Sequence, residues 1–320
     1  RPLANKLQSI PPFYVMEVVR IAEELESKGV DVIHLEVGEP DFSTSSSVIE
    51  RACIALQAGK TRYTDARGIQ ALRDALSTWY KAQGLDVPAR RIQITVGASA
   101  GLLLASAATT NPGEGVLMAD PTYPCNPRFV EVVGGQVHWI ETDISSRFQP
   151  TCEALELEAK ASDRTLMLAH PANPTGQAVP SAELKRMIQW CMETNRHLIV
   201  DEIYQSLSFN DTLASSLAIS DQHFVVGSFS KYFNMTGWRL GWLVIPEYAL
   251  EATQRLAQHL FICASSFAQE AALSCFESDA LEEAEMHRRE LKERRDLLIP
   301  RLEAMGFKIA AEPDGAFYVF

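Results

Sequence analysis

The sequence predicts an α/β protein with a mostly parallel sheet and helices on both faces, joined by a smaller, discontinuous α/β domain. Between about residues 40 and 280, short apolar runs alternate with stretches of helical periodicity, as in parallel sheets with crossover helices. Polar residues follow the ends of several of these runs, where open α/β sheets bind ligands. We expect residues 36–289 to form the large domain, and residues 1–35 with 290–320 to form the small one.

Composition indicates an ordinary globular enzyme and excludes some partners. The chain has 320 residues, of which 47% are apolar, enough for about two domains with a sizeable core. A net charge of -12 argues against nucleic acid or an anionic membrane as a partner. The six cysteines show neither a C-x-x-C pair nor metal-ligand spacing, so we expect no metal and a reducing, cytoplasmic location. The sequence shows no signal-peptide pattern and no apolar run of membrane-spanning length.

The N-terminal part of the chain predicts a helix, a strand and a loop. Apolar residues at helical spacing predict an amphipathic helix over Tyr14–Ser27. The residues Val32–Phe42 are typical of a strand that runs into a turn containing Gly38. A polar loop that includes Tyr63 then leads into the next helix.

The first strand of the main sheet is predicted over Arg91–Val96, and an apolar helix follows at once. Its first turn contains the small residues Ala98, Ser99 and Ala100. Backbone N–H groups at such a positive helix end can bind an anion. Close packing of the helix on the sheet explains small residues equally well.

Two further strands end in residues that suit a flat ligand. After the strand that includes Val116–Met118, Tyr123 can stack on a ring, although a lone aromatic here is more often a core residue. Leu166–Ala169 is followed by a rigid turn rich in proline, where Asn173 can donate a hydrogen bond. We expect His170, at the start of this turn, to be structural.

The strand Leu198–Val200 runs into Asp201, Glu202 and, three residues after Asp201, Tyr204. A carboxylate at the end of a buried strand is costly unless it is paired with a cation or a hydrogen-bond donor. Asp201 is the candidate for binding a ligand, and Glu202 is expected to point elsewhere and to be structural.

The stretch from Ser228 to Trp242 contains the strongest chemical signal. An amine that attacks a carbonyl works best in a partly desolvated pocket near other cations, which lower its pKa, and Lys231 fits this role. Ser228, Ser230 and Arg239 offer the hydroxyls and the guanidinium that a phosphate needs. The alternative is a basic surface loop between two buried strands.

Beyond this stretch the pattern predicts helices and a small second sheet. Helices are expected over Tyr248–Ala257 and Gln269–Phe276, and a long charged helix over about Ala280–Leu302. Phe307–Ile309 and Gly315–Phe320 are typical of two strands in a separate small sheet.

The motif S-F-S-K-x-x-x-M-T-G-W-R-L-G-W resembles the cofactor-lysine signature of the class I/II aminotransferases, which are pyridoxal 5'-phosphate (PLP) enzymes of fold type I. The N-P-T-G turn at Asn173 also matches this family, and five such motifs occur in family order along nearly the whole chain. The resemblance implies PLP held by Lys231 as an internal aldimine. It also implies transfer of an amino group from an α-amino acid to a 2-oxo acid by a ping-pong mechanism.

The resemblance also implies roles for single residues. Asp201 would hold the protonated ring nitrogen, and Tyr204 with Asn173 would hold the 3'-oxygen. Gly38 and Asn173 would face the substrate, and Tyr63 would reach the phosphate of a neighbouring subunit, which implies a homodimer with composite sites. The residues expected to contact the cofactor are Ala98, Ser99, Ala100, Tyr123, Asn173, Asp201, Tyr204, Ser228, Ser230, Lys231, Arg239 and, from the partner subunit, Tyr63.

Some questions stay open from the sequence. The arginine that binds the substrate carboxylate in the resembling enzymes is expected beyond Phe320. The same motifs serve β-eliminating C-S lyases and aminocyclopropane-carboxylate synthases, and a fold alone does not choose between these reactions. A non-catalytic sensor joined to a DNA-binding domain is a more distant alternative, which the charge of -12 disfavours.

Overall fold

The computed structural model describes residues 1, 3–8, 10–210 and 213–320, and these contain a seven-stranded sheet. Its strands are β1 (Ile92–Thr95), β2 (Gly115–Asp120), β3 (Gln136–Glu141), β4 (Asp163–Ala169), β5 (His197–Asp201), β6 (Phe224–Ser228) and β7 (Gly241–Val244). Their order across the sheet is β1-β7-β6-β5-β4-β2-β3. β7 is antiparallel to both of its neighbours, and the other adjacent pairs are parallel, which confirms the predicted mostly parallel sheet.

Helices connect and flank these strands. They are α1 (Tyr14–Glu26), α2 (Ser46–Gln57), α3 (Gln70–Ala82), α4 (Gly97–Thr109), α5 (Asn126–Val132), α6 (Cys152–Glu158), α7 (Ser181–Glu193), α8 (Leu250–Phe261), α9 (Ser266–Ala272) and α10 (Ser278–Ala304). The predicted helix over 269–276 begins earlier, as α9, and its last residues form a tighter 3-10 turn at Leu273–Phe276. Among the helices of the described ranges, none combines the length and apolar character needed to cross a bilayer.

The sheet separates two hydrophobic cores. In β4, Leu166 and Leu168 pack into one core, and Met167 between them packs into the other. Successive side chains of a strand point to opposite faces, so a strand covered on both faces must be apolar at every position. Helix α7 covers the first face through Met187, and α4 covers the second through Leu104. The predicted helices on both faces are therefore confirmed.

The strand predicted over Val32–Phe42 is wrong. The structure forms no regular strand there, and Ile33 and Leu35 are 82% and 88% exposed. Alternating apolar residues favour an extended backbone, but a strand also needs a neighbour for its hydrogen bonds. None of the described strands lies beside this segment.

The two strands predicted near the end of the chain, over 307–309 and 315–320, are also wrong. Gly315 instead forms an isolated antiparallel bridge with Ser208, and the Ala316 N–H donates to the Leu207 carbonyl at 3.1 Å. The segment therefore satisfies its backbone against the turn that follows β5, where it also buries Ala316 completely. The domain boundaries at residues 36 and 289 stay a prediction.

Candidate active site

The candidate site lies at the carboxyl edge of the parallel strands. β4 and β5 end side by side, with Ala169 opposite Asp201, and β6 ends beside them at Ser228. Because β7 is antiparallel, it begins at this same edge, where Gly241 pairs with Ser228 on one side and Thr95 on the other. Turns separated by long stretches of sequence therefore meet at one place.

Lys231 lies in the loop over 229–240 that joins β6 to β7. Its Nζ donates a short hydrogen bond to the carbonyl of Gly38. The same atom lies 5.8 Å from the ring centroid of Tyr204 and 5.6 Å from that of Phe317. The amine is thus held in a pocket with aromatic walls, as the desolvated position predicted for a nucleophilic lysine requires.

The pKa of Lys231 is lowered to about 8, chiefly by burial and also by the positive charge of Arg239. The carboxylates of Glu39 and Asp201 act in the opposite direction. A lysine with such a pKa has an unprotonated fraction near neutral pH, which an exposed lysine with a pKa near 10.4 lacks.

Asp201 is the last residue of β5 and is 4% exposed. Burial raises the pKa of its carboxyl to about 7, and the negative charge of Glu202 adds to this effect. The Ile203 backbone N–H, at 3.2 Å, donates to it and favours the charged form, as does Lys231. Asp201 is therefore a buried carboxyl that a cationic ligand would stabilise.

Tyr204 and Asn173 both direct polar groups to one point, and the hydroxyl of Tyr318 lies there. The Tyr318 Oη is 2.6 Å from the Tyr204 Oη and accepts a hydrogen bond from Asn173 Nδ2 at 2.9 Å. Burial raises the pKa of Tyr318 to about 12. The sequence alone does not indicate a role for Tyr318, because it lies 145 positions from Asn173 in a stretch typical of a strand.

Gly38 contacts the same tyrosine. A Cβ added to Gly38 would overlap the Tyr318 hydroxyl, so the bare Cα is needed for this close approach. Gly38 is predicted to face the substrate, and that stays a prediction. In this structure Gly38 contacts the side chain of Tyr318.

Arg239 lies at the first turn of α4. Its guanidinium is so close to Gly97 that a Cβ there would lie 2.7 Å from Nη2, and Gly97 has a φ of +73° that favours glycine. Gly241 packs equally close to the α4 terminus, because a Cβ on Gly241 would lie 2.9 Å from the Ala98 nitrogen. The fold thus brings together the guanidinium and the helix end that the sequence predicted separately for a phosphate.

The remaining small and hydroxyl residues of this group differ in exposure. Ser228 and Ser230 are buried, and the Ser228 Oγ accepts a hydrogen bond from the Ser230 N–H at 3.0 Å. On α4, Ala100 is buried, Ala98 is half-buried and Ser99 is exposed. Their predicted role in binding a phosphate stays a prediction.

The two other aromatic candidates lie in different environments. Tyr123 is half-buried, with its ring 6.2 Å from that of Phe13 in an edge contact. Burial raises the pKa of its hydroxyl, and the charges of Asp201 and Tyr318 contribute, which places it near the site. Tyr63 is 81% exposed on the loop before α3, and its contact with a neighbouring subunit stays a prediction.

The structure gives His170 a structural role. Its Nδ1 accepts a hydrogen bond from the Val179 N–H at 3.0 Å, and burial lowers its pKa to about 4. The ring is therefore neutral at pH 7 and holds the turn after β4 to the segment before α7.

Glu202 belongs to a buried group that we call the Glu202 cluster, which comprises Glu202, Ser215, Ser216 and His223. The Glu202 carboxylate accepts hydrogen bonds from the Ser215 Oγ at 2.7 Å and from the Ser216 N–H and Oγ, both at 2.6 Å. The His223 Nε2 lies 2.8 Å from the Ser216 Oγ. Glu202 therefore points away from the candidate ligand site, as expected, and fastens the turn after β5 to the segment before β6.

The arrangement suits a small, flat ligand with three distinct polar groups. Three polar groups surround Lys231. They are the buried Asp201 carboxyl, the converging side chains of Asn173 and Tyr204, and the Arg239 guanidinium beside the N-terminus of α4. These match a basic ring nitrogen, a phenolic oxygen and a phosphate respectively. Within the described ranges, no group of three or more His, Cys, Asp or Glu side chains is placed to hold a metal ion.

Comparison with known proteins agrees with this geometry. The model of the family described as "Aminotransferase class I and II" matches residues 30–320. The chain is 38% identical over 314 residues to a valine–pyruvate aminotransferase of Mycobacterium tuberculosis, covering 97% of this chain and 81% of that protein. It is 34% identical over 325 residues to an aspartate aminotransferase of Thermotoga maritima, covering 99% and 84%.

Solved structures show the same fold. The aspartate aminotransferase of Thermus thermophilus with maleate superimposes with a TM-score of 0.94 at 32% identity, covering all of this chain and 84% of that one. Sequence, fold and family match therefore agree along nearly the whole chain. This protein belongs to the class I and II aminotransferases.

Proposed function

We propose that this protein moves the amino group of an α-amino acid to a 2-oxo acid by a ping-pong mechanism, with PLP bound at Lys231. One observation supports the proposal most strongly. The Lys231 amine lies beside the rings of Tyr204 and Phe317, at the edge of the sheet that also carries Asp201 and Arg239. These are the two charged side chains that would hold opposite ends of the cofactor.

The donor set fits PLP at each of its polar groups. Asp201 would hold the ring N–H, and Asn173 with Tyr204 would hold the 3'-oxygen. Arg239 and the first turn of α4 would hold the phosphate. When bound, the cofactor supplies an electron sink for negative charge at the substrate α-carbon.

The chain itself binds, orients and moves protons. The Lys231 Nζ, with a pKa of about 8, can attack a carbonyl carbon. With the cofactor bound, the Lys231 amine would act as the general base that takes the proton from the substrate α-carbon. The rings of Tyr204 and Phe317 lie 5.8 and 5.6 Å from this amine and would limit the access of water to it.

The proposal extends to an α-amino acid and a 2-oxo acid, and to no particular side chain. The relatives include proteins named valine–pyruvate aminotransferase, aspartate aminotransferase and aspartate/prephenate aminotransferase. These names share the transfer of an amino group and differ in the substrate.

The test uses the PLP-loaded protein with an α-amino acid donor and no 2-oxo acid. We expect one stoichiometric conversion of the cofactor to pyridoxamine phosphate, followed by a stop, with a 2-oxo acid restoring the original absorbance. Borohydride should trap PLP at Lys231, and Lys231→Ala should abolish the trapped adduct. Steady release of ammonia and pyruvate from cysteine or cystathionine would instead assign the protein to the lyases.

We also propose a homodimer with composite sites, because Tyr63 is exposed within one chain and the resemblance gives it a role in the other subunit. Mixed dimers of a Tyr63→Phe chain and a Lys231→Ala chain should contain one site with both changes and one with neither. A fully active monomer at micromolar concentration, measured by sedimentation, would show that Tyr63 is an ordinary loop residue.

A further inference from the structure

The contact between Tyr318 and the pair Asn173 and Tyr204 is part of the site but has no role in the proposed reaction. These hydrogen bonds join three separate parts of the chain: the turn after β4, the turn after β5 and the segment over 305–320, which we call the C-terminal segment. The hydroxyl of Tyr318 is held on a further side by the bare Cα of Gly38. Its position is therefore defined by neighbours on several sides.

The chemistry of this contact is that of a phenolic oxygen with two donors. The amide nitrogen of Asn173 can only donate, so the Tyr318 oxygen must be its acceptor. Tyr204 and Tyr318 share one further hydrogen bond at 2.6 Å. A phenol carries one proton, so a Tyr204 hydroxyl that donates to Tyr318 cannot also donate to a ligand.

The cofactor's 3'-oxygen is also a phenolic oxygen, and Asn173 and Tyr204 are the residues proposed to bind it. We propose that Tyr318 is a positioning residue of the cofactor pocket: its hydroxyl occupies the place of the 3'-oxygen, keeps Asn173 and Tyr204 converged, and leaves when the cofactor binds. This inference rests on the proposed function, because it assumes that PLP binds here.

The inference predicts competition. Binding of a phenolic ligand must break the hydrogen bonds that Tyr318 makes to Asn173 and Tyr204. Removal of the Tyr318 hydroxyl abolishes this competition and leaves both donors in place. Two neutral hydrogen bonds correspond to a change in affinity of roughly 5- to 30-fold.

The experiment measures the dissociation constant of pyridoxine 5'-phosphate by quenching of tryptophan fluorescence. This ligand has the 3-hydroxyl but no aldehyde, so it does not react with Lys231 and requires no turnover. Tyr318→Phe should bind it roughly 5- to 30-fold more tightly than the wild type. An analogue that lacks the 3-hydroxyl should bind to both proteins equally.

Two controls separate this effect from a general change in packing. Tyr248→Phe removes another tyrosine hydroxyl, which lies 3.0 Å from His197 Nδ1 at the opposite edge of the sheet, and should leave both affinities unchanged. In a chain that already carries Asn173→Ala and Tyr204→Phe, the further change Tyr318→Phe should have no effect, because its partners are absent.

Equal or weaker binding of pyridoxine 5'-phosphate to Tyr318→Phe would overturn the inference. Weaker binding would mean that Tyr318 stays in place and supports Tyr204 when the ligand is present. A wild-type protein that binds neither PLP nor pyridoxine 5'-phosphate would overturn the proposed function, and this inference with it.

Discussion

Asp201 and Glu202 are consecutive, buried carboxyl groups at the end of β5, yet their surroundings differ. Three donors from Ser215 and Ser216 hold the Glu202 carboxylate at 2.6 to 2.7 Å. Among the described residues, a single backbone N–H, that of Ile203 at 3.2 Å, donates to Asp201. A buried carboxylate whose hydrogen bonds are all made within its own chain has a structural role. One that accepts few hydrogen bonds from its own chain can accept a donor from a ligand.

The same difference governs their electrostatics. Burial raises the pKa of both groups, but for Glu202 the hydrogen bonds from Ser215 and Ser216 oppose the change. For Asp201 one backbone donor opposes it, and the pKa reaches about 7. The two neighbours can therefore be separated by experiments that measure catalysis, pH dependence and stability.

The largest expected effect is on turnover. Asp201→Asn should lower kcat roughly 10²- to 10³-fold with little change in the affinity for the amino acid, because the neutral amide cannot stabilise a ring cation. Steady-state kinetics of the PLP-loaded protein measure this. Asp201→Glu should retain more activity than Asp201→Asn.

Glu202→Gln is the matched control for this prediction, with the same loss of charge one residue away. Its kcat should stay within about tenfold of the wild type, since Glu202 does not face the ligand. Similar losses of kcat in the two variants would show that both carboxylates contribute to catalysis.

The second effect is on the pH dependence of stability without cofactor. The folded protein keeps the Asp201 proton up to a pH of about 7, whereas the unfolded chain loses it near the ordinary value of 3.8. The stability from this group is therefore present at low pH and is lost as the pH rises through 7. From pH 4 to pH 8, the unfolding free energy of Asp201→Asn should rise by about 4 kcal/mol relative to that of the wild type.

Urea unfolding of both cofactor-free proteins across this range measures the gain. The difference between them removes the contributions of titratable groups that do not interact with Asp201. A constant difference at all pH values would mean that the pKa of Asp201 is close to its ordinary value in the folded protein.

The third effect is on stability at constant pH. Glu202→Gln should lower the unfolding free energy by about 2 kcal/mol, because glutamine keeps one acceptor oxygen for Ser216 but its NH2 group cannot accept the hydrogen bond from the Ser215 Oγ. Asp201→Asn should show no such loss at pH 8. Chemical denaturation of the two variants side by side decides between these outcomes.

The smallest effect concerns one donor of the Glu202 cluster. The Ser215 Oγ donates to Glu202 and accepts from the Leu217 N–H at 3.1 Å. Ser215→Ala should cost about 1 kcal/mol in unfolding free energy. Ser27→Ala, which removes an exposed hydroxyl, serves as the control. A loss at Ser215 no larger than at Ser27 would mean that the cluster is weaker than its geometry indicates.

The central sheet was predictable from sequence because its strands are covered on both faces. Runs such as Val116–Met118 and Leu198–Val200 are continuously apolar, and turn residues follow them. The extended stretches over 32–42 and 307–320 have similar composition, yet they form no sheet. Pairing depends on a neighbouring strand, which local sequence does not reveal.

The sequence proposes candidate site residues where one turn carries the chemistry, as at Lys231 and Asp201, and their roles stay predictions. Contacts that depend on the whole fold were not predictable. The Tyr318 hydroxyl meets Tyr204, 114 positions away, only because the C-terminal segment packs against the turn after β5. Nor could spacing reveal that Arg239 lies against Gly97, since the antiparallel direction of β7 brings them together.

The antiparallel β7 has a consequence for protein engineering. Because Ser228 pairs directly with Gly241, the loop over 229–240 leaves the sheet and re-enters it at the same edge, beside its own starting point. This connection needs no crossover helix, which a parallel connection would require. The loop also contributes Phe229, Phe233 and Met235 to the hydrophobic core, so these side chains must be matched when the loop is exchanged. Chimaeras that take residues 229–240 from another member of the family should therefore keep the strand register on both sides. The exchanged unit is therefore the loop together with the buried side chains that it adds to the core.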